Sequence, residues 1–455
     1  MNEKSPGIVH KFLKLFTDIH PGEATTAILL MLNVYLLLMA YYIIKPVRDA
    51  LILEEWTPEI KNYVSAAIAV LLVFAVKIFS SMSSKFPRQQ LITWVTLFFI
   101  SNLVLFYALH LGGVGPGVTG MIFYIWASIF NVIVIAQFWG FANDIYTEDA
   151  GKRLFPLIAF GATFGGYSGG KITNMLVVPL GTFHLMLVAG AILGICILMT
   201  WIIHKREVKE KEQKEVHSIQ EKEDTKIDEE KPLEKGGAFR LVFKKKYLLY
   251  IAFFVLLLNF VNTNGVYLLD TVAKNSAIKA IEAGTAGGLD IGQFLAKFYA
   301  GFYNIQNFFA MIVQLFIVSR IFKWFGVRKA IFFLPALALG GYFALSFGAA
   351  LVLVKWVKAF ENGLDYSLMN TTRHSLYLIT PRIEKYKAQA VTKTFFHRAG
   401  DVLSAALIFL GTTFLAFKIE NIAMVNVVLV LIWIFLGTLI FREHKRLSAQ
   451  QPPSV

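Results

Sequence analysis

Long apolar runs alternate with short polar segments along the whole chain, and the runs recur twelve times: near residues 24–44, 63–82, 91–111, 118–142, 154–178 and 183–204, then 247–269, 294–319, 327–347, 351–378, 393–417 and 422–441. Each is close to the ~20 residues that carry a helix across a hydrocarbon core. A helix that is apolar all round needs a solvent other than water. The pattern therefore predicts an all-α integral membrane protein with about 12 transmembrane helices. Ahead of the first run, residues 8–16 mix apolar and basic positions and predict a short interfacial helix, with no cleavable signal peptide.

The polar segments are not equivalent. Residues from Lys205 to about Lys235 are dense in Lys and Glu, hold no aromatic residue and predict a solvated linker between six runs and six. This gives an N-terminal half over 1–204, a charged linker over 205–246, a C-terminal half over 247–441 and a tail over 442–455. If the linker is cytoplasmic, Lys85, Arg88, Lys152, Arg153, Arg320, Lys323, Arg328, Lys329, Arg442, Lys445 and Arg446 share its side. Both termini then face the cytoplasm, as expected for a bacterial inner membrane protein. Two parallel six-helix halves joined in this way resemble the plan of the major facilitator superfamily, which implies a substrate cavity near the midplane. The basic stretch from Arg320 to Lys329 also resembles that superfamily's loop between the second and third helices of a half, with Lys323 where the motif has Asp.

Composition narrows the classes further. The chain is 56% hydrophobic and only 16% charged, and its +14 formal charge sits mainly in the short inter-run segments. That placement reads as topology rather than nucleic-acid binding. The lone Cys196 lies in an apolar run, so neither a disulfide framework nor a cysteine metal site is expected, and no cofactor is implied. The segment 166–170 has the G-x-S-x-G pattern, but it lies inside a transmembrane run and lacks the strand and turn of a nucleophile elbow. With no H-E-x-x-H, no Walker A pattern and no large extramembrane loop, an enzyme is not expected.

Charged residues inside apolar runs need a partner, a water-filled cavity or the interface, so they mark candidate sites. Lys45, Arg48 and Asp49 surround Pro46 where the first helix continues into further apolar sequence; they line a cavity or anchor the helix at the headgroups. Asn143 and Asp144 end the fourth run, where Asp144 meets substrate, closes a gate or pairs with Lys152 or Arg153. Gly161, Gly165 and Gly169 form a four-residue stripe for close helix approach, followed by Lys171 at membrane depth. Asn259, Asn262 and Asn264 supply amides in the seventh run. In the tenth, Lys355, Lys358, Glu361, Asn362 and Asp365 share a broad face before Arg373 and His374. Lys393, His397, Asp401 and Ser404 form one stripe in the eleventh, with Arg398 beside it; His397 and Asp401 suit a proton relay or a structural pair. The charges in these runs sum to a positive balance, which predicts a small anionic substrate.

The stretch from Phe138 to Asp144, followed by Ala150 to Leu157, resembles the ATP/ADP translocase (nucleotide transporter) family. Tyr366, Ser367 and Leu368 with Thr372 and Arg373, and Asn259 to Asn262, resemble its tenth and seventh helices. The resemblance implies exchange of nucleotides such as ATP and ADP, or of another phosphate-bearing anion. It sets Arg48 where the family has an essential Lys, Asp144 where it has Glu, Asn262 where it has Glu, and Asp401 where it has Lys. The expected partners are thus a nucleotide and the lipid bilayer, with no nucleic acid; oligomeric state is not indicated.

Overall fold

The computed structural model describes residues 20, 23–83, 85–146, 148–218, 237–348 and 350–449, and among these the chain is helical with no strand. The proposed interfacial helix at residues 8–16 lies outside the described residues. The first six helices are α1 (Glu23–Glu55), α2 (Pro58–Ser83), α3 (Arg88–Leu111), α4 (Pro116–Ile145), α5 (Glu148–Leu180) and α6 (Thr182–Ser218). After the linker come α7 (Ala238–Lys244), α8 (Lys246–Glu282), α9 (Ile291–Ile312), α10 (Val318–Ala330), α11 (Phe333–Leu345), α12 (Leu351–Leu364), α13 (Asn370–Leu376), α14 (Arg382–Val391), α15 (His397–Phe414) and α16 (Ile419–Ala449). Every apolar run is largely helical. α1 continues through Pro46 for a further nine residues to Glu55.

Among the described residues, eight helices are long and apolar enough to cross a membrane: α1 to α4, α6, α8, the continuous 291–330 segment and α16. α2 shows why water is excluded as its solvent. Only 17% of its apolar window is buried, and Val70, Val73, Phe74 and Ile78 are exposed. So long an apolar face left open is stable only against lipid. The other runs are diluted by glycine and Lys171 in α5, or divided by turns in the C-terminal part.

Those divisions have a defined character. Three π-turns, Val313–Ile317, Asp365–Met369 and Thr392–Phe396, interrupt the helices of the C-terminal part. Each inserts a residue into the i→i−4 ladder and rotates the residues after it, a feature common at functional sites. Within the basic Arg320–Lys329 stretch, Gly326 takes φ +74°, a conformation glycine adopts without steric penalty, and there the chain breaks between helical segments.

The linker departs from a fully irregular segment at both ends. α6 carries its helix on to Ser218, well past residue 204, and α7 forms before Lys246; residues 219–236 lie outside the described residues. By contact, the chain divides into two compact units, one within 1–51, 72–231 and 299–304, the other within 52–71, 232–298 and 305–455. The end of α1 and the first part of α2 thus pack with the second unit.

In the first unit the glycine stripe does what its spacing predicts. Gly161, Gly165 and Gly169 of α5 lie against the backbone carbonyls of Met31, Tyr35 and Met39 of α1, which have the same four-residue spacing. Side chains at any of the three would hold the helices apart. In the second unit α8 is the central element, packed on α12, α15 and α16.

Candidate functional site

In the first unit, the charges around Pro46 are buried among tyrosines rather than spread at a surface. Lys45 is buried, with its Nζ 4.0 Å from the centre of the Tyr303 ring and 5.1 Å from that of Tyr42. The Arg48 side chain is 12% exposed and bonds Asp49 Oδ1 from Nη2 at 2.9 Å and from Nε at 3.2 Å. Its guanidinium also lies 4.8 Å from the Tyr124 ring centre. Tyr303 donates to the other Asp49 oxygen at 2.5 Å. Cation–π contacts and a two-point ion pair let cations sit in a low-dielectric place. This burial is incompatible with the headgroup-anchor reading of Lys45 and Arg48. The tyrosines carry no sequence signal of their own, since Tyr303 is far along the chain.

The second unit holds a cavity of about 310 Å³ lined by Asn370, Arg373, His374, Tyr377, Gln389, Thr392, Lys393, His397 and Arg398, with Val255 of α8. Its volume is at the small end of ligand sites. The π-turns set its wall: one precedes α13, which carries Arg373 and His374, and the other contains Thr392 and Lys393. Lys393 Nζ lies 3.5 Å from His374 Nε2. Two of the three full cations are answered from outside the lining, Arg373 by Asp365 at 3.4 Å and Arg398 by Asp401 at 3.3 Å. Gln389 contributes a buried amide nitrogen with no hydrogen-bond partner among the described residues. A small anion would satisfy that donor and the residual positive charge together.

Both oxygens of Asp401 are engaged by residues other than His397. Its Oδ1 accepts from Asn259 at 2.7 Å and from Thr263 at 2.9 Å, while Oδ2 meets Arg398. The His397 ring makes no hydrogen bond among the described residues, so the expected His397–Asp401 pair does not form. Asp401 instead fixes α15 to α8.

Beside it runs a buried polar network. Lys358, with a fully buried side chain, donates to Asn262 Oδ1 at 2.8 Å and pairs with Glu361 at 3.1 Å. Tyr342 donates to the same Glu361 oxygen at 2.7 Å. Ser404 donates to Asn264, Asn264 to Asn426 and Asn62 to Ser404. Lys61 and Asp270, 2.9 Å apart and nearly wholly buried, form a further pair that the sequence did not single out. Asn262 therefore holds an internal lysine rather than lining the cavity. The tenth-run charges divide: Lys358 and Glu361 pair internally, whereas Asp365 serves Arg373.

Three further candidates fall elsewhere. Asp144 pairs with Arg88, which also donates to Gly140 O at 2.6 Å, whereas Arg153 pairs with Glu23 at 2.9 Å. Asn143 and Asp144 are exposed, as is Lys171, which has no ion-pair partner among the described residues. Lys171 is thus not part of the buried cluster around Asp49.

The helical fold is similar to that of several solved membrane transporters. A variant of the nucleoside transporter NupG superposes with TM-score 0.64 at 11% identity, covering 91% of this chain and all of that one. The POT family transporter PepTSo gives 0.59 at 12% identity over 94% and 99%. A bacterial homologue of the human lysosomal transporter Spinster gives 0.55 at 14% over 96% and 100%. Within that fold, residues 119–339 match the model of the TLC ATP/ADP transporter family, which bears out the resemblance seen around Phe138 and Arg153. ADP,ATP carrier protein 2, chloroplastic, of Arabidopsis thaliana is 27% identical over 212 residues, 37% of this chain and 34% of that protein. The chain thus spans about a third of the length of that relative.

Proposed function

We propose that the protein is a secondary transporter exchanging nucleotides or similar phosphate-bearing anions by alternating access across a bacterial inner membrane. The observation that carries this reading is the cavity of the second unit, where Arg373, Lys393 and Arg398 converge with His374, His397 and an unpartnered Gln389 amide. Arg373 and Arg398 offer planar forks suited to phosphate, and Lys393 a point charge. At about 310 Å³ the cavity suits the charged end of such a ligand. The first unit holds a charged cluster of its own, Lys45, Arg48 and Asp49. Twelve spans in two parallel six-helix halves, with both termini cytoplasmic, complete the proposed architecture. Exchange follows from electrostatics: without an anion the cations repel, so the empty carrier closes poorly.

The test is uptake of labelled ATP or ADP by proteoliposomes preloaded with unlabelled nucleotide. Nucleotides should compete, whereas carboxylates should not, and Arg373→Ala or Lys393→Ala should reduce uptake at least tenfold. Activity that ignores every nucleotide but responds to another organic anion would replace the substrate and keep the transporter.

A further inference from the structure

The mixed aromatic and basic surface at the start of the second unit is absorbed by none of the roles above. α7 is a short helix directly before α8, and its Phe239 and Phe243 are 47% and 56% exposed. Phe239 packs edge-on to Phe395, itself 52% exposed, at 5.3 Å. Together they extend an aromatic ridge that continues through Phe396 to Phe253 on α8. The opposite character lies beside it: Arg240, Lys244, Lys245 and Lys246 are all exposed. Among the described residues only Lys245 has an acidic partner, Glu384 of α14. The helix that α7 packs on, α14, carries Lys385 and Lys387 as further basic residues.

We propose that α7 and the adjoining face of α14 form a docking surface for anionic phospholipid headgroups, with Phe239, Phe243 and Phe395 seated at the acyl boundary. Charge complementarity identifies the occupant. A cluster of four basic residues within seven, next to the first apolar turn of a spanning helix, lies where headgroup phosphates stand, and each such charge strengthens attachment about fivefold. The exposed rings supply an apolar face at the membrane boundary, which an aqueous partner would not reward. The surface also has a route to the cavity. α7 packs on α14, which carries Gln389, and leads into the π-turn holding Thr392 and Lys393. Bound lipid would therefore steady one wall of the anion cavity.

The test reads lipid retention on the purified full chain by native mass spectrometry, from micelles containing phosphatidylglycerol and phosphatidylcholine with the same acyl chains. This readout needs no substrate, so it succeeds or fails apart from the transport assignment. The wild type should retain phosphatidylglycerol in preference. Arg240→Gln with Lys244→Gln and Lys246→Gln should cut that preference at least tenfold, and Phe239→Ser with Phe243→Ser should lower retention of both lipids. A control removing the same charge elsewhere, Arg320→Gln with Lys323→Gln and Lys329→Gln, should leave the preference unchanged. Equal retention of the two lipids by the wild type, an unaltered preference in the α7 triple variant, or an equal loss in the control would each overturn the proposal. Unchanged retention in the phenylalanine variant would overturn the seating of the rings.

Discussion

Replacing Gly165 by Ala adds one methyl group to a helix, and in most helices that change is stabilising by up to ~1 kcal/mol because glycine has the more flexible unfolded chain. Here the sign should reverse. A Cβ at Gly161 would stand 2.5 Å from the Met31 carbonyl oxygen, and those at Gly165 and Gly169 would come closer still to Tyr35 O and Met39 O. A carbon–oxygen contact settles near ~3.3 Å, so α5 and α1 must part by roughly 0.8 Å or more. Because the obstacle is backbone, no rotamer change relieves it. The three glycines share one line, so the displacement spreads along the seam and loosens contacts such as the Tyr35–Phe164 stack. Overpacking of this kind costs about 1–3 kcal/mol. Gly194 on α6 is the internal control, helical and with nothing within 4 Å of a built Cβ.

The assay is the unfolding midpoint of purified protein in a detergent–denaturant titration. Gly165→Ala should lower it, whereas Gly194→Ala should hold or raise it. A further arm separates backbone from side-chain conflict: trimming Tyr35→Ala should not rescue Gly165→Ala. If Gly165→Ala matches the wild type, or if Tyr35→Ala restores it, the close-backbone reading of the stripe is wrong.

Lys358→Met should destabilise by about 3–5 kcal/mol, because it leaves the buried Glu361 carboxylate with Tyr342 as its remaining hydrogen-bond donor. Adding Glu361→Gln should recover most of that loss, and a double variant no better than the single one in the same titration would sink the ion-pair account. At the cavity, Asp401→Asn keeps the contacts to Asn259 and Thr263 but removes the charge opposite Arg398. Nucleotide should then bind more tightly, by about 1–2 kcal/mol at the separations of a partly solvated site; weaker binding by calorimetry would refute the anion-cavity geometry.

Much of the fold is legible because hydropathy is local. Each apolar run is largely helical, and the glycine stripe was readable because its spacing repeats the helical period that α1 must match. The site is less legible because spacing gives a face but not the neighbour that face meets. Asp144 illustrates this: nearness in sequence points to Lys152 and Arg153, yet the neighbour across the helix end is Arg88, which sits at the start of α3. The Lys393, His397, Asp401 and Ser404 stripe shows the effect along a single helix. Its span of about eleven residues covers roughly 16 Å of helix, enough to pass from one environment into another. Lys393 and His397 end in the cavity, while Asp401 and Ser404 engage amides and a hydroxyl of α8. The π-turn at Thr392–Phe396 also shifts the rotation of the residues within it, so ideal helical spacing misstates the phase between the stripe's first member and the rest. A relay inferred from one face thus separates into two roles, a basic cavity wall and a carboxylate that ties α15 to α8. The split depends on depth along the helix, a coordinate that residue periodicity does not carry.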